Sequence, residues 1–518
     1  MIVASKPEDA GVRSEAVYAF LKEVDDKAEN HGLLIIRNGK IAFEGYRYPY
    51  SADIPHTMFS VTKSLVSTAV GFAVSEGLLT LEEKIEPHFS EYFHVKSKRW
   101  NAVTVEALLT MRSGKAFTFL QDMTADYAKL FMLAPFRGNN KFLYSNNDAY
   151  MLSALLQKVT GQTVVDYLTP RLFEPLGIKK PFWETNQQGV CVGGTGCYLT
   201  LPDLAKIGYC YLNGGKYEGK QVLPEGWAEK VQVRRTETME KGTGYGYYFW
   251  LRKDCFMMDG MMGQFCMIFP KYNAVVAMTN CSESEQFVLN AFYKRYPDIF
   301  IEDKSLENYQ NSRGEEIVVK KRMPEEEKKS IGMSYSIQGR ALRVAKVSGY
   351  PVSVIPHALN ATVARRADSS MNNVRFVFDN DGCTVTWSEG EDEVVVRSGM
   401  NGQARLSEVT IASYPYTLWS YAYWEKKKLH VVIKLLNTLA TQRFIFSFGA
   451  QNMKMEVKSM PDFGKFCSEN AVAGGAVPDL PYLTPLLCKN IEQFAGLFDL
   501  PVQFVGKKEL SNEKKDEK

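Results

Sequence analysis

No stretch of this 518-residue chain is apolar for long enough to cross a bilayer. The amino terminus, Met1-Ile2-Val3-Ala4-Ser5-Lys6-Pro7-Glu8, lacks the basic region and apolar core of a secretory signal. Charge of one sign is missing too. Against 62 Lys and Arg stand 59 Asp and Glu, a net charge of +3, and there is no basic stripe for nucleic acid or polybasic anchor for a membrane. Nine cysteines, an odd number without paired spacing, argue against a disulfide framework or a zinc site, and His88 and His94 show no metal-ligand spacing. Cys210 and Cys266 lie inside apolar runs and read as buried thiols. With Met1 as the natural start, these absences predict a cytoplasmic protein that uses no metal or cofactor and binds neither nucleic acid nor membrane.

What is present is the composition of a globular protein, 45% hydrophobic and 23% charged, in a chain too long for one ordinary core. An amphipathic helix is expected from Ser14 to Ala28, followed by strands Gly32 to Ile36 and Lys40 to Tyr46 joined by the hairpin signal Asn38-Gly39. From Ser60 to Glu229 the pattern is mainly helical. Strands return between Tyr245 and Thr279, and a helix over Glu283 to Tyr296 closes the unit. Strands at both ends with helices between predict one sheet built from the two termini of residues 1–300, with a helical insertion beside it. Residues 301–331 are rich in charge and read as a linker or solvated face. Beyond them, Val374 to Phe378, Cys383 to Trp387, Glu393 to Arg397, Leu429 to Leu435 and Thr441 to Phe448 alternate as strands with turns. That pattern predicts a separate all-β domain over 332–505, of barrel or sandwich type, and a disordered tail from Gly506.

The chemistry concentrates at Ser60-Val61-Thr62-Lys63. A serine three residues ahead of a lysine on a helix sets hydroxyl and amine on one face, about a turn apart. The same spacing recurs at Ser511 to Lys514, in a charged tail with nothing to bury it. After Ser60, by contrast, the residues to Val74 are small or apolar nearly all round, so this helix is expected to be buried on most faces. Burial disfavours charged Lys63, and a neutral amine can take the serine proton. The alternative is a buried helix whose serine caps it and whose lysine reaches to water.

Partners for the pair come from further along. Tyr144-Ser145-Asn146 precedes a predicted helix over Asp148 to Val159; its phenol can relay a proton and its amide can orient Lys63 and a substrate carbonyl. Tyr211 to Asn213 and Tyr309 to Asn311 repeat the spacing without both an apolar approach and a helix behind. Gly260-Met261-Met262-Gly263-Gln264 has the small residues needed where a strand edge offers a backbone N–H to a developing oxyanion, or else it is an ordinary bulge or turn.

In that order, these motifs resemble the serine β-lactamase-like superfamily, in the branch of class C β-lactamases, D-alanyl-D-alanine carboxypeptidases and related penicillin-binding-protein-like esterases. The resemblance covers about residues 5–300 and rests on Phe59 to Ser64, Leu108 to Gly114, Tyr144 to Asn146, Asp203 to Gly208, and Gly263-Gln264 with Pro270 beyond. It implies an α/β (α+β) fold with an antiparallel sheet flanked by helices, an acylated Ser60, Lys63 and Tyr144 as the acid/base pair, and an oxyanion hole from the N–H groups of Ser60 and Gln264. One departure stands out. Met261 and Met262 occupy places where the family usually carries a Lys or His and a Thr or Ser, which removes a cation for a substrate carboxylate. The expected substrate is therefore a small-molecule ester or amide that lacks that carboxylate or has it held by another cation, and such variants resemble the esterase and 6-aminohexanoate-dimer hydrolase type of enzyme. A β-lactamase or D-amino-acid peptidase is the alternative, and a non-catalytic binding protein that keeps the fold is another.

Other signals point elsewhere. Gly214 to Lys220 nearly spells a phosphate loop, but Gln221 replaces the Ser or Thr that would hold magnesium. His56, four residues before Ser60, is expected at the rim of the site. Asp259 either places a negative charge by the third motif or caps a turn.

Overall fold

The computed structural model describes residues 3–92, 96–115, 126–136, 141–238, 240, 242–300, 335–341, 371–379, 381–389, 392–400, 402–411, 414–439, 441–449, 452–460 and 502–508. They form two compact units, one before and one after the charged stretch 301–331, which itself lies outside the described residues.

The first unit is organised by a nine-stranded sheet. Its strands are β1 (Val3–Ala4), β2 (Glu29–Arg37), β3 (Lys40–Tyr46), β4 (Thr236–Glu237), β5 (Gly244–Tyr245), β6 (Trp250–Arg252), β7 (Cys255–Gly260), β8 (Gln264–Phe269) and β9 (Ala274–Cys281). They lie in the order β1-β3-β2-β9-β8-β7-β6-β5-β4, antiparallel except for β1 beside β3. The two termini of the unit thus meet at β2 and β9, with Val275 opposite Ile36 and Ala277 opposite Leu34. Side chains alternate across the pleat, so each strand feeds two cores. Leu34, Ile36, Met258, Cys266, Ile268, Val275 and Ala277 join the helical side. Leu33, Ile35, Met257, Phe265, Met267, Val276 and Met278 face the opposite way. Burial on both faces explains why these strands read as continuous apolar runs.

On that opposite face lie α1 (Ser14–Asp25), through Val17, Phe20 and Val24, and the last helix of the unit, through Val288, Leu289 and Phe292. The other face carries α2 (Val61–Ser75), α3 (Asn146–Thr160), α4 (Leu201–Leu212) and several shorter helices; the last helix is α5 (Glu285–Tyr293). As expected, α2 is buried almost all round, from Val61 to Ala73. Residues Gly214 to Lys220 do not lead directly into a helix; the next one is Trp227–Val231. They form a ribbon, Lys216–Tyr217 against Lys220–Gln221, which leaves no helix N-terminus for a phosphate.

The second unit is one ten-stranded sheet of β10 (Tyr335–Ala341), β11 (Met371–Phe378), β12 (Gly382–Glu389), β13 (Asp392–Gly399), β14 (Arg405–Ile411), β15 (Tyr414–Glu425), β16 (Lys428–Leu435), β17 (Thr441–Phe448), β18 (Asn452–Met460) and β19 (Val502–Lys508). A further pairing of Gly399 on β13 with Tyr421 on β15 curls the sheet on itself. Alternate residues such as Phe376, Val385, Trp387, Val431, Ile433, Phe444 and Met455 make its core. Strand β19 includes Gly506 to Lys508, so the chain is still paired where a free tail was expected to begin; 509–518 lie outside the described residues.

Helix α4 lies close enough to the sheet that a Cβ on Gly208 would come within 2.4 Å of Cys266 Sγ and 2.9 Å of Val275 Cγ1. Gly208→Ala should lower the thermal unfolding midpoint, because overpacking of about 1–3 kcal/mol outweighs a helix-propensity gain of about 1 kcal/mol.

Candidate active site

Ser60 stands at the residue before α2, with backbone φ −70° and ψ −10° and no side-chain cap hydrogen bond. The capping alternative is thereby removed. Phe59 before it takes φ 43°, a left-handed turn that a non-glycine residue rarely adopts. Two backbone contacts pin this turn: Met58 N–H donates to Cys197 O at 2.9 Å, and Cys197 N–H donates to Thr62 Oγ1 at 3.2 Å.

Lys63 does not reach to water; it is 1% exposed. Its Nζ lies 2.9 Å from Ser60 Oγ, 2.7 Å from Asn146 Oδ1 and 2.6 Å from Gly194 O. Burial holds its pKa well below the ordinary lysine value. A neutral amine has two hydrogens and one lone pair. The Asn146 and Gly194 oxygens can only accept, so they take both hydrogens, and the lone pair is left facing the Ser60 hydroxyl. Tyr144 completes the group: its hydroxyl hydrogen-bonds the Ser60 side chain, its ring lies 4.7 Å from Lys63 Nζ, and burial raises its pKa, which keeps the phenol protonated.

Helix α3 supplies Asn146 in its first turn, and Ser145 caps it through Oγ, which accepts from Asp148 N–H at 3.1 Å. Gly194 was visible in the sequence only as part of a glycine loop. Its role follows from close approach: a Cβ there would meet Asn146 Oδ1 at 2.9 Å, and one on Gly193 would meet Ala149 O at 2.4 Å. Trp250, on β6, stacks on Tyr144 with centroids 5.6 Å apart. Ser60, Tyr144, Asn146, Trp250 and Met261 are each partly exposed, so the cluster opens to solvent.

Residues Met261, Met262 and Gly263 form the tight turn between β7 and β8, with Gly260 opposite Gln264. Gly260 passes so near the nucleophile's turn that a Cβ would lie 2.4 Å from Met58 O. Nearly every backbone polar group of the turn is engaged. Met262 N–H donates to Glu285 Oε1 at 2.7 Å, Ser282 N–H to Met262 O at 3.1 Å, and Gly263 N–H to Gly260 O at 3.2 Å. Asn280 Nδ2 donates to Gly263 O at 2.5 Å, and Gln264 Nε2 to Met261 O at 3.1 Å. Gln264 itself is buried within the ladder.

The remaining expected residues fall outside the cluster. His56 is interior rather than at the rim, 3% exposed, with Nε2 at 2.9 Å from His31 Nδ1; burial lowers its pKa to about 4. Tyr211 bonds Thr68 Oγ1 at 2.7 Å in the core, while Tyr309 to Asn311 and Ser511 to Lys514 lie outside the described residues. Cys210 and Cys266 are buried free thiols. Asp259 caps no turn: its carboxylate is 4.0 Å from Arg252, beside Glu285.

Residues 20–295, more than half of the chain, match the Beta-lactamase family. The chain belongs to the beta-lactamase family. The family member described here is 26% identical over 253 residues to the 6-aminohexanoate-dimer hydrolase of Paenarthrobacter ureafaciens, a match covering 43% of this chain and 63% of that enzyme. It is 25% identical over 173 residues to Protein flp of Staphylococcus aureus, covering 30% of this chain and 35% of that protein. Among solved structures, a putative 6-aminohexanoate-dimer hydrolase from Bacillus anthracis superposes with TM-score 0.48 at 20% identity, over 54% of this chain and 80% of that one.

Beside the site of this beta-lactamase-family protein, Asp148 is buried with Oδ1 accepting from Ser113 Oγ at 2.8 Å and Oδ2 without a hydrogen-bond partner among the described residues. Burial raises its pKa to about 7. A folded-state pKa above the unfolded value favours folding below about pH 4 and loses that contribution as pH rises to about 7. Asp148→Asn should therefore remove part of the stability difference between pH 5 and pH 8, by about 1–3 kcal/mol in chemical unfolding.

Proposed function

We propose that this protein hydrolyses an ester or amide bond through an acyl-enzyme on Ser60. The observation that carries the reading is the triple contact of Lys63, whose two obligate acceptors direct its lone pair at the serine hydroxyl. Lys63 takes the Ser60 proton as Oγ attacks the carbonyl carbon. The oxyanion forms at the N–H groups of Ser60 and Met261, which have no acceptor among the contacts of the described residues. Met261 is assigned this role in place of Gln264 because it follows Gly260, which passes close to Met58 O, whereas Gln264 is paired with Gly260 in the ladder and braces the turn through its side chain. Tyr144 protonates the leaving oxygen or nitrogen, and the bond to the leaving group breaks. The Tyr144 phenolate left by that step takes a proton from water as it attacks the acyl carbon, and Lys63 returns its proton to Ser60 Oγ as the ester bond breaks and the acid leaves.

The apolar third motif supports a substrate without a carboxylate at that end, with Met261 and Trp250 beside the leaving group. The name of the Paenarthrobacter ureafaciens relative, 6-aminohexanoate-dimer hydrolase, agrees with hydrolysis as the reaction class.

A fluorophosphonate probe should label Ser60. Ser60→Ala and Lys63→Ala should each lower p-nitrophenyl ester hydrolysis about a thousandfold or more, and kcat should fall on the acid side as Lys63 takes up a proton. Absence of labelling in folded protein, or turnover by Ser60→Ala, would exclude the reading. Nitrocefin turnover faster than ester turnover would favour a β-lactamase instead.

A further inference from the structure

Met262 adopts φ 63° with its side chain 1% exposed, an uncommon conformation for a residue with a Cβ at the turn that presents the Met261 N–H. Something must hold it there. Its N–H donates at 2.7 Å to Glu285 Oε1, the first residue of α5, on a helix that otherwise packs in the core across the sheet from Ser60.

We propose that Glu285 is a positioning residue: by accepting the Met262 N–H it fixes the strained turn so that the adjacent Met261 N–H points at the oxyanion. The inference rests on the serine-hydrolase reading above. A carboxyl or a carboxamide oxygen can do this, since either accepts a hydrogen bond.

The groups around Glu285 add a pH signature. Asp259 on β7 faces it, Arg252 on β6 is within 2.6 Å of Glu240 and 4.0 Å of Asp259, and Tyr144 lies on the site side of the cluster. Burial first, then Asp259, raises the Glu285 pKa to about 8, and burial raises Asp259 to about 7. Near neutral pH the pair keeps a proton. Above about pH 8 both carboxyls ionise against each other, with Arg252 already engaged by Glu240. The repulsion acts on the carboxyl that grips the turn.

The test compares wild type, Glu285→Ala, Glu285→Gln and the double variant Glu285→Ala with Met262→Gly, by ester kinetics against pH and by the rate of Ser60 phosphonylation. Glu285→Ala should lower kcat and the phosphonylation rate about ten- to a hundredfold, less than outright loss of an oxyanion donor, with KM within about threefold. Glu285→Gln should recover to within about threefold of wild type and abolish the fall in kcat above about pH 8. Met262→Gly, for which a left-handed φ costs nothing, should return part of what Glu285→Ala loses. A wild-type rate in Glu285→Ala, or a Glu285→Gln as slow as Glu285→Ala, overturns the inference while leaving the hydrolase reading intact. Should Glu285→Ala not fold, persistence of the alkaline fall in Glu285→Gln overturns it. A wild-type Ser60 that takes no label overturns both.

Discussion

Everything at this site depends on keeping one amine dry. In water Lys63 would carry a proton and could not take another. Enclosed between α2, the first turn of α3 and the Gly193-Gly194 segment, it loses hydration that charged nitrogen needs, and its neutral form is favoured. The two carbonyl-type oxygens that replace water are acceptors only. They stabilise the amine's hydrogens and, by occupying them, orient its lone pair. Desolvation and orientation thus come from the same contacts, which is why the surrounding helix is small and apolar nearly all round.

That enclosure demands backbone approach closer than a side chain allows. Glycines at 193, 194 and 260 lie where a Cβ would fall within about 3 Å of Ala149 O, Asn146 Oδ1 or Met58 O. The first two bring a carbonyl to Lys63, and the third brings the β7–β8 turn to the nucleophile. Phe59 and Met262 are left-handed in these two turns, next in sequence to Ser60 and Met261. Local strain is held by hydrogen bonds to rigid elements: the turn before Ser60 by Cys197, the turn after Gly260 by Glu285 and Asn280.

The fold was legible where pattern and pairing agree. Period-two alternation marked the strands of the second unit, and apolar runs marked the buried strands of the first. Their meeting at β2 and β9 was expected from strands at both ends of residues 1–300. Edge strands such as Thr236–Glu237 were not legible, since two residues carry no periodicity. Nor was the last strand, Val502–Lys508, whose pairing with β10 joins residues far apart in sequence.

At the site, Ser60, Lys63, Tyr144 and Asn146 were legible as candidates, because the apolar helix after Ser60 and the order of the motifs are written in the sequence. Their gathering into one hydrogen-bonded group is a tertiary fact. So are the parts no motif announced: the Gly194 carbonyl, Trp250 against Tyr144, and Glu285 under the turn. Each comes from a different element, and each acts through a backbone atom or a ring face. One-dimensional spacing records which residues can do chemistry. Which of them share a dry, shaped space is decided only when distant segments pack, since desolvation and direction are properties of the enclosure and not of any residue in it.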